Sequence, residues 1–494
     1  MPQTPQPLPP FPPKPQPLPD FPGYTTLDKE VRIDRLPVEG ALPEWLSGTL
    51  IRNGPAKFEV GDYRLTHWFN GIGMLHSYSF GEGQVSYANK YLRTTAYDLA
   101  VTKGQLYGKQ FGVDPCEELF GRHFAAYSPN ISDNTNVNLT RLANRFFAFN
   151  EQPLNMEFDP RTLETVGELA FEGHIPGELS TPHPHYDFER RALLNYTTEM
   201  RDRTVYHVHY TPEDTLRQTR LATIETGEDP RYMHSFAATE NHVVLVEIPV
   251  VIDRERFLEP GNTFVQCFSW QPERGTRFLV VDKREGRVTR TFEGPAFFAF
   301  HHINAAEVGG DLLIDIAVTE TPYESVLGLA PSEDQFDLQA YGYAARRFVL
   351  PLGGSSDSAR VVDLTDAGVE MPRINYRAHN GKPYRYAYGL GHSPRSLRAM
   401  NRLLKLDVVA GTHTSWYEKG SFPSEAVFVG RPGATAEDDG VVLSGVLDAR
   451  TGTSFLLVLD AASFQELGRA RVPHHIPNDF HGVFFGDLPR PGGV

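Results

Sequence analysis

Cysteine is nearly missing from this chain: Cys116 and Cys267 are the only two in 494 residues. That excludes a cysteine-based zinc site and allows at most one disulfide. No run of 18 or more apolar residues occurs, so no stretch qualifies as a spanning helix. Also missing are a Gly-x-Ser-x-Gly elbow, a Walker A loop and a Gly-x-Gly-x-x-Gly after a strand, the usual signatures of serine hydrolases and nucleotide-binding proteins. Positive charge is in deficit, with 47 Lys and Arg against 62 Asp and Glu. The formal net charge of -15 opposes nucleic-acid binding and general attraction to anionic lipid. Long amphipathic helical patterns are scarce as well.

Apolar residues make up 40% of the chain and aromatics 12%, enough to bury a large core, either as about three average domains or as one repetitive architecture. Local grammar favours the repetitive architecture. Apolar runs ending in Asp, followed by a turn and another strand-like run, recur at Met156–Asp159, Phe278–Asp282, Leu403–Asp407 and Leu456–Asp460, and read as hairpins. Asp407 and Asp460 are 53 residues apart, and Asp159 and Asp282 are 123 apart, near two such units. This is a little longer than the roughly 40–50 residues of a propeller blade. Forty-three glycines and 39 prolines supply turns between short strands. One short helix is expected in a loop, over Asp114–Phe124.

The first 22 residues hold eleven prolines, with no basic n-region and no apolar h-region, so they do not read as a secretory signal. Extended polyproline conformation is expected there, as a tail or as a strap over the rest of the chain. A single domain is expected over 23–494. Two cysteines and no export signal point to the cytoplasm.

Eighteen histidines are present, so most of them are structural or solvated. Four sit inside longer phrases: Thr181-Pro-His183-Pro-His185, Met233-His234-Ser-Phe236, Phe300-His301-His302-Ile-Asn304 and Asp479-Phe480-His481-Gly482. Imidazoles with no accompanying thiolate suit a borderline divalent metal such as iron, copper or zinc. Spacing alone does not choose among them. His183 with His185, and His207 with His209, are each two apart and would share one side of a strand.

These phrases resemble those of the carotenoid cleavage oxygenases, and the resemblance runs from about Asp28 over nearly the whole chain. Further phrases carry it: Thr66-His-Trp-Phe-Asn-Gly71 with Met74-Leu-His76, Asp114-Pro-Cys116, Glu370-Met-Pro-Arg-Ile-Asn375, Lys382-Pro-Tyr-Arg-Tyr386, Ser424-Glu425 and Arg431-Pro-Gly-Ala-Thr435. The likeness is closer to the animal-type branch, the β-carotene oxygenases and the retinoid isomerohydrolase, than to the plant enzymes. There are departures: Asn70 and Ile72 stand where many relatives have acidic residues, and Asp479 stands where a glycine often precedes Phe-His-Gly.

The resemblance implies an all-β, seven-bladed β-propeller with loops and short helices capping the iron face. Inner strands of different blades line one axis, which explains how ligands separated by 51, 67 and 180 residues converge. The implied ligands of Fe(II) are His183, His234, His301 and His481. His302 and His185 are then set aside as neighbours. Glu151, Glu370 and Glu425 would hold the other ring N–H of ligand histidines. Thr135 falls near the open metal position, and Phe236 and Phe300 become candidate contacts for a polyene.

Four neutral ligands leave up to two octahedral positions for water or O2. The implied reaction adds O2 across a C=C bond of a carotenoid or apocarotenoid and yields two carbonyl products. No residue need serve as acid or base. Leu119, Phe120 and Phe124 could form an apolar entrance patch for peripheral membrane contact, and Cys116 is a candidate for lipidation or a buried thiol. Rival readings are a stilbene-cleaving oxygenase, a non-oxidative retinoid isomerohydrolase and a propeller that binds partners without metal.

Overall fold

Successive side chains of a strand point to opposite faces, so a strand packed between two sheets needs apolar residues at both parities. Thr453–Asp460 is such a strand. Its Phe455, Leu457 and Leu459 pack with Tyr388 and Leu403, while Leu456 and Val458 pack with Leu50 and Tyr78. Likewise Phe146 and Ala148 face Ile51 and Leu75, whereas Phe147 and Phe149 face Leu193. The unbroken apolar runs of the sequence are therefore two-faced strands.

The computed structural model describes residues 21–112, 132–200, 202–259, 262–320, 343–392 and 400–490. Seven antiparallel sheets of four to six strands form a seven-bladed β-propeller. Blade 1 contains Gly48–Lys57, Ile72–Gly81 and Gln84–Tyr91. Blades 2 to 7 follow in order over 138–168, 179–226, 237–294, 302–363, 370–416 and 421–472. The core is a set of apolar seams between adjacent blades, and first strands of neighbouring blades meet around the axis.

Two pairings join the beginning of the chain to its end. His481–Phe485 supplies the inner edge of blade 1, with His481 opposite Asn53. Val38–Gly40 supplies the outer edge of blade 7, with Glu39 opposite Arg469. Each satisfies backbone groups that would otherwise be an exposed edge.

All four expected Asp hairpins are present, and each joins the third and fourth strands of its blade. One carboxylate oxygen accepts from backbone N–H groups of the turn: Asp159 from Arg161 and Thr162 at 2.8 Å, Asp282 from Arg284 at 2.7 Å and Glu285 at 2.9 Å. Asp407 repeats the arrangement, and Asp460 accepts from the N–H and the hydroxyl of Ser463. The fourth residue after each Asp is left-handed: Leu163 (φ 61°), Gly286 (64°), Gly411 (70°) and Phe464 (59°).

Helices among the described residues are short, the longest being Thr95–Lys103, capped by the Thr94 hydroxyl and ended by left-handed Gly104. The expected helix over 114–124, with Cys116, Leu119, Phe120 and Phe124, lies outside the described residues, as do residues 1–20. Cys267 is buried, with its thiol donating to the Thr263 carbonyl.

Candidate metal centre

Each blade brings one polar residue to the same end of the axis. His183 lies in the link between Leu179–Ser180 and His185–Asp187, His234 just before Ala237–Ala238, His301 just before His302–Val308, and His481 opens the inner strand of blade 1. The other three blades bring carboxylates: Glu151 after Arg145–Phe149, Glu370 at the start of Glu370–Ile374, and Glu425 between Ser421–Pro423 and Val427–Gly430. A bulge follows Glu370, where Met371 takes a left-handed φ of 47°. Bulges re-aim side chains in this way beside functional sites.

One ring nitrogen from each of His183, His234, His301 and His481 lies within 4.8 Å of the other three. His183 Nε2 and His234 Nε2 are 2.9 Å apart. Two nitrogens each about 2.0–2.1 Å from one ion at a right angle would sit about 3 Å apart, so this spacing fits a metal. The second nitrogen of three histidines meets a carboxylate: His234 Nδ1 to Glu151 at 2.6 Å, His301 Nδ1 to Glu370 at 2.7 Å and His481 Nδ1 to Glu425 at 2.8 Å. A proton on Nδ1 leaves the Nε2 lone pair free for the centre. His301 Nε2 is buried with no hydrogen-bond partner among the described residues, as a ligand atom would be. His183 differs, since its Nδ1 lies 3.4 Å from the Asn138 amide nitrogen.

Electrostatics favour neutral imidazoles. Burial and the neighbouring histidines push His183 well below its usual value. Burial lowers His234 despite Glu151, and takes His481 down to about 4 despite Glu425. Glu425 is held at about 2: burial pushes it up, but the charge of Arg373, the contact with His481 and the charge of Arg52 outweigh that. An ionised carboxylate behind a neutral imidazole is the state that supports metal ligation.

A largely apolar cavity opens onto His234, His301 and His481, with Trp68, Phe69, Phe111, Phe264, Phe300 and Phe480 among its walls. Phe300 thus stands where a substrate contact was expected. Phe236 does not: it is fully buried in the seam of blades 3 and 4, against Tyr196 and His185, in the link that leads from His234 into Ala237–Ala238. Thr135 is fully buried between Asn134 and Asn136 of the cavity wall, is not itself among the lining residues, and its hydroxyl lacks a hydrogen-bond partner among the described residues. His302 turns to the Ser235 hydroxyl at 2.8 Å, and His185 to Asn380 and the Phe236 carbonyl. His207 pairs with Glu199, away from the centre.

Three supporting groups escaped the sequence reading. The Tyr232 hydroxyl donates to Glu151 at 2.6 Å, two residues before His234. The Thr181 hydroxyl accepts from His183 N–H and donates to the His234 carbonyl, tying two of the histidines together. Buried Arg52 grips Asp479 with two bonds, at 2.5 and 2.7 Å, and reaches the Phe480 carbonyl beside His481. Asp479, noted as a departure from relatives, was the one signal of that pair.

A propeller with four histidines at one end of its axis, three of them backed by carboxylates, defines a class of metal-centred β-propeller. The family model described as "Retinal pigment epithelial membrane protein" matches residues 24–486. A β,β-carotene 15,15'-dioxygenase of Rattus norvegicus is 32% identical, over 92% of this chain and 89% of its own. A mitochondrial carotenoid-cleaving dioxygenase of Macaca fascicularis is 34% identical, over 93% of each chain. The chain therefore belongs to the carotenoid oxygenase family. Among solved structures, a cobalt-substituted apocarotenoid oxygenase of Synechocystis superposes with a TM-score of 0.80 at 24% identity, covering 94% of this chain and 98% of that one.

Proposed function

We propose that this protein is an iron(II)-dependent dioxygenase that cleaves a C=C bond of a carotenoid or apocarotenoid. The observation that carries this reading is the convergence of four imidazoles, three of which are held by carboxylates and open onto an aromatic cavity. His183, His234, His301 and His481 would hold the iron, with Glu151, Glu370 and Glu425 fixing three rings. When bound, the iron supplies O2 activation beside the alkene. The chain's own residues do the rest: aromatic walls orient the polyene and exclude water. Both oxygen atoms of O2 end in the products, one in each carbonyl, so no side chain need carry a proton.

The substrate class dissolves in lipid, so we place the protein in the cytoplasm with peripheral access to a lipid surface. No helix of the described residues is long and apolar enough to cross a membrane. The test is oxygen uptake by iron-loaded protein given an apocarotenal in detergent under labelled O2. Two labelled carbonyl fragments are expected, and their masses locate the bond. Bound iron without uptake would redirect the reading to a retinyl ester, and cleavage of stilbenes alone to phenolic alkenes.

A further inference from the structure

Residues 21–27 lie as a strap across the segment that leads into His481. Pro22–Tyr24 makes one tight turn, and Phe21, Tyr24 and Leu27 are all buried. Three contacts fasten it. Asn478 N–H donates to the Gly23 carbonyl at 2.9 Å, the Tyr24 phenol is hydrogen-bonded to the Asn478 side chain, and the Thr25 hydroxyl lies 3.2 Å from His475 Nε2. A Cβ on Gly23 would fall 2.7 Å from the Asn478 amide, so only glycine allows this approach.

Tyr24 is more than an anchor, because its side chain lines the same cavity that reaches the histidines. Its ring meets Trp68 edge-on at 6.1 Å and Phe58 at 6.4 Å. Trp68 is itself held from behind, with Nε1 donating to the Asn478 carbonyl at 2.8 Å. A ring packed on two aromatic neighbours and tied at its hydroxyl cannot swing aside cheaply. A ligand longer than the space in front of it must displace that ring or stop short of it.

We propose that Tyr24 is a specificity-determining residue: it closes one wall of the cavity and sets how much polyene extends past the metal centre on the side of Trp68 and Asn478. The proposal rests on the dioxygenase reading for the chemistry of the ligand. Its geometry is independent of any reaction.

The experiment uses the full chain with a series of apocarotenals graded in length, in detergent. Binding is followed by quenching of tryptophan fluorescence, which Trp68 in the wall should report, and cleavage by product mass. Tyr24→Ala is expected to shift the ratio of affinities for the longest and shortest members by about tenfold or more towards the longest. Tyr24→Leu should shift it in the same direction by less, and decides the matter if the alanine variant is unstable. Tyr24→Phe keeps the ring and should leave the ratio as it is, at lower thermal stability. An unchanged ratio in a folded alanine or leucine variant overturns the proposal. A wild-type protein that binds the series but forms no carbonyl products counts against the proposed function instead, and the binding ratios still judge the wall.

Discussion

The rim and the axis of this propeller are built on opposite rules. At the rim, four blades use one device: an Asp whose carboxylate accepts two turn N–H groups, or an N–H and a hydroxyl at Asp460, with a left-handed residue four positions on. At the axis the blades contribute different groups, although the pairing of an imidazole with a carboxylate recurs three times. Seven blades bring seven polar residues, four imidazoles and three carboxylates, and each meets a particular partner from another blade. Repetition secures a scaffold because each turn needs only local groups. A metal centre needs different groups at one point, so equivalent positions in the blades must diverge.

The comparison predicts that axis variants change metal binding and rim variants change stability alone. The largest effect is expected for His301→Ala, which should abolish iron binding by elemental analysis, while His302→Ala leaves iron largely in place. The reverse outcome would exchange their roles. Next, Glu370→Gln should weaken iron retention about 10–100-fold, as for groups that orient a ligand. Asn138→Ala should cost less, because the contact of Asn138 with His183 is long and uncharged. Equal losses would erase the distinction between carboxylate-backed and amide-backed histidines.

At the rim, Phe464→Gly should relieve a left-handed backbone by about 1–2 kcal/mol but forfeit about 3–5 kcal/mol of buried packing. Phe464 is 2% exposed, so packing wins. A net loss of about 1–4 kcal/mol in denaturant unfolding is expected, with iron affinity unchanged; altered affinity would mean that rim and axis are coupled.

The smallest effect concerns a position of neither kind. His209 is buried, and neither ring nitrogen has a hydrogen-bond partner among the described residues. Burial, with the neighbouring His207, pushes it from 6.5 down to about 3. Between those values the unfolded chain binds a proton that the folded chain refuses, so this histidine costs stability as pH falls from 6.5 towards 3. His209→Leu should move the midpoint of acid unfolding to lower pH, seen by circular dichroism. An unmoved midpoint would show that His209 finds a partner in solution.

Much of the rim was legible in advance because its signals are local. Met156–Asp159, Phe278–Asp282, Leu403–Asp407 and Leu456–Asp460 announced hairpins through a run and a turn residue lying within a few positions. The axis was legible only through resemblance. Histidine spacing left His183 and His185, or His301 and His302, as equals, and the course of the links separates them: His183 and His301 lie in links ahead of strands that begin at His185 and His302. The same cause explains the misplacement of Phe236, two residues beyond His234 yet facing an inter-blade seam. Tyr232 and Thr181 carried no signal of their own, since a hydroxyl beside a histidine is common and becomes meaningful only when a second blade supplies its partner.

By itself the sequence determined the strands, their turns, the shortage of positive charge and the set of residues able to ligate metal, because propensity, periodicity and side-chain chemistry act within a few residues. Only the tertiary structure decided which imidazoles meet, which carboxylate stands behind each, and that Tyr24 forms a wall of the cavity near its far end of the chain at Asn478. Those relations join residues up to hundreds of positions apart, and closing the ring of blades is the physical event that brings them within a hydrogen bond of one another.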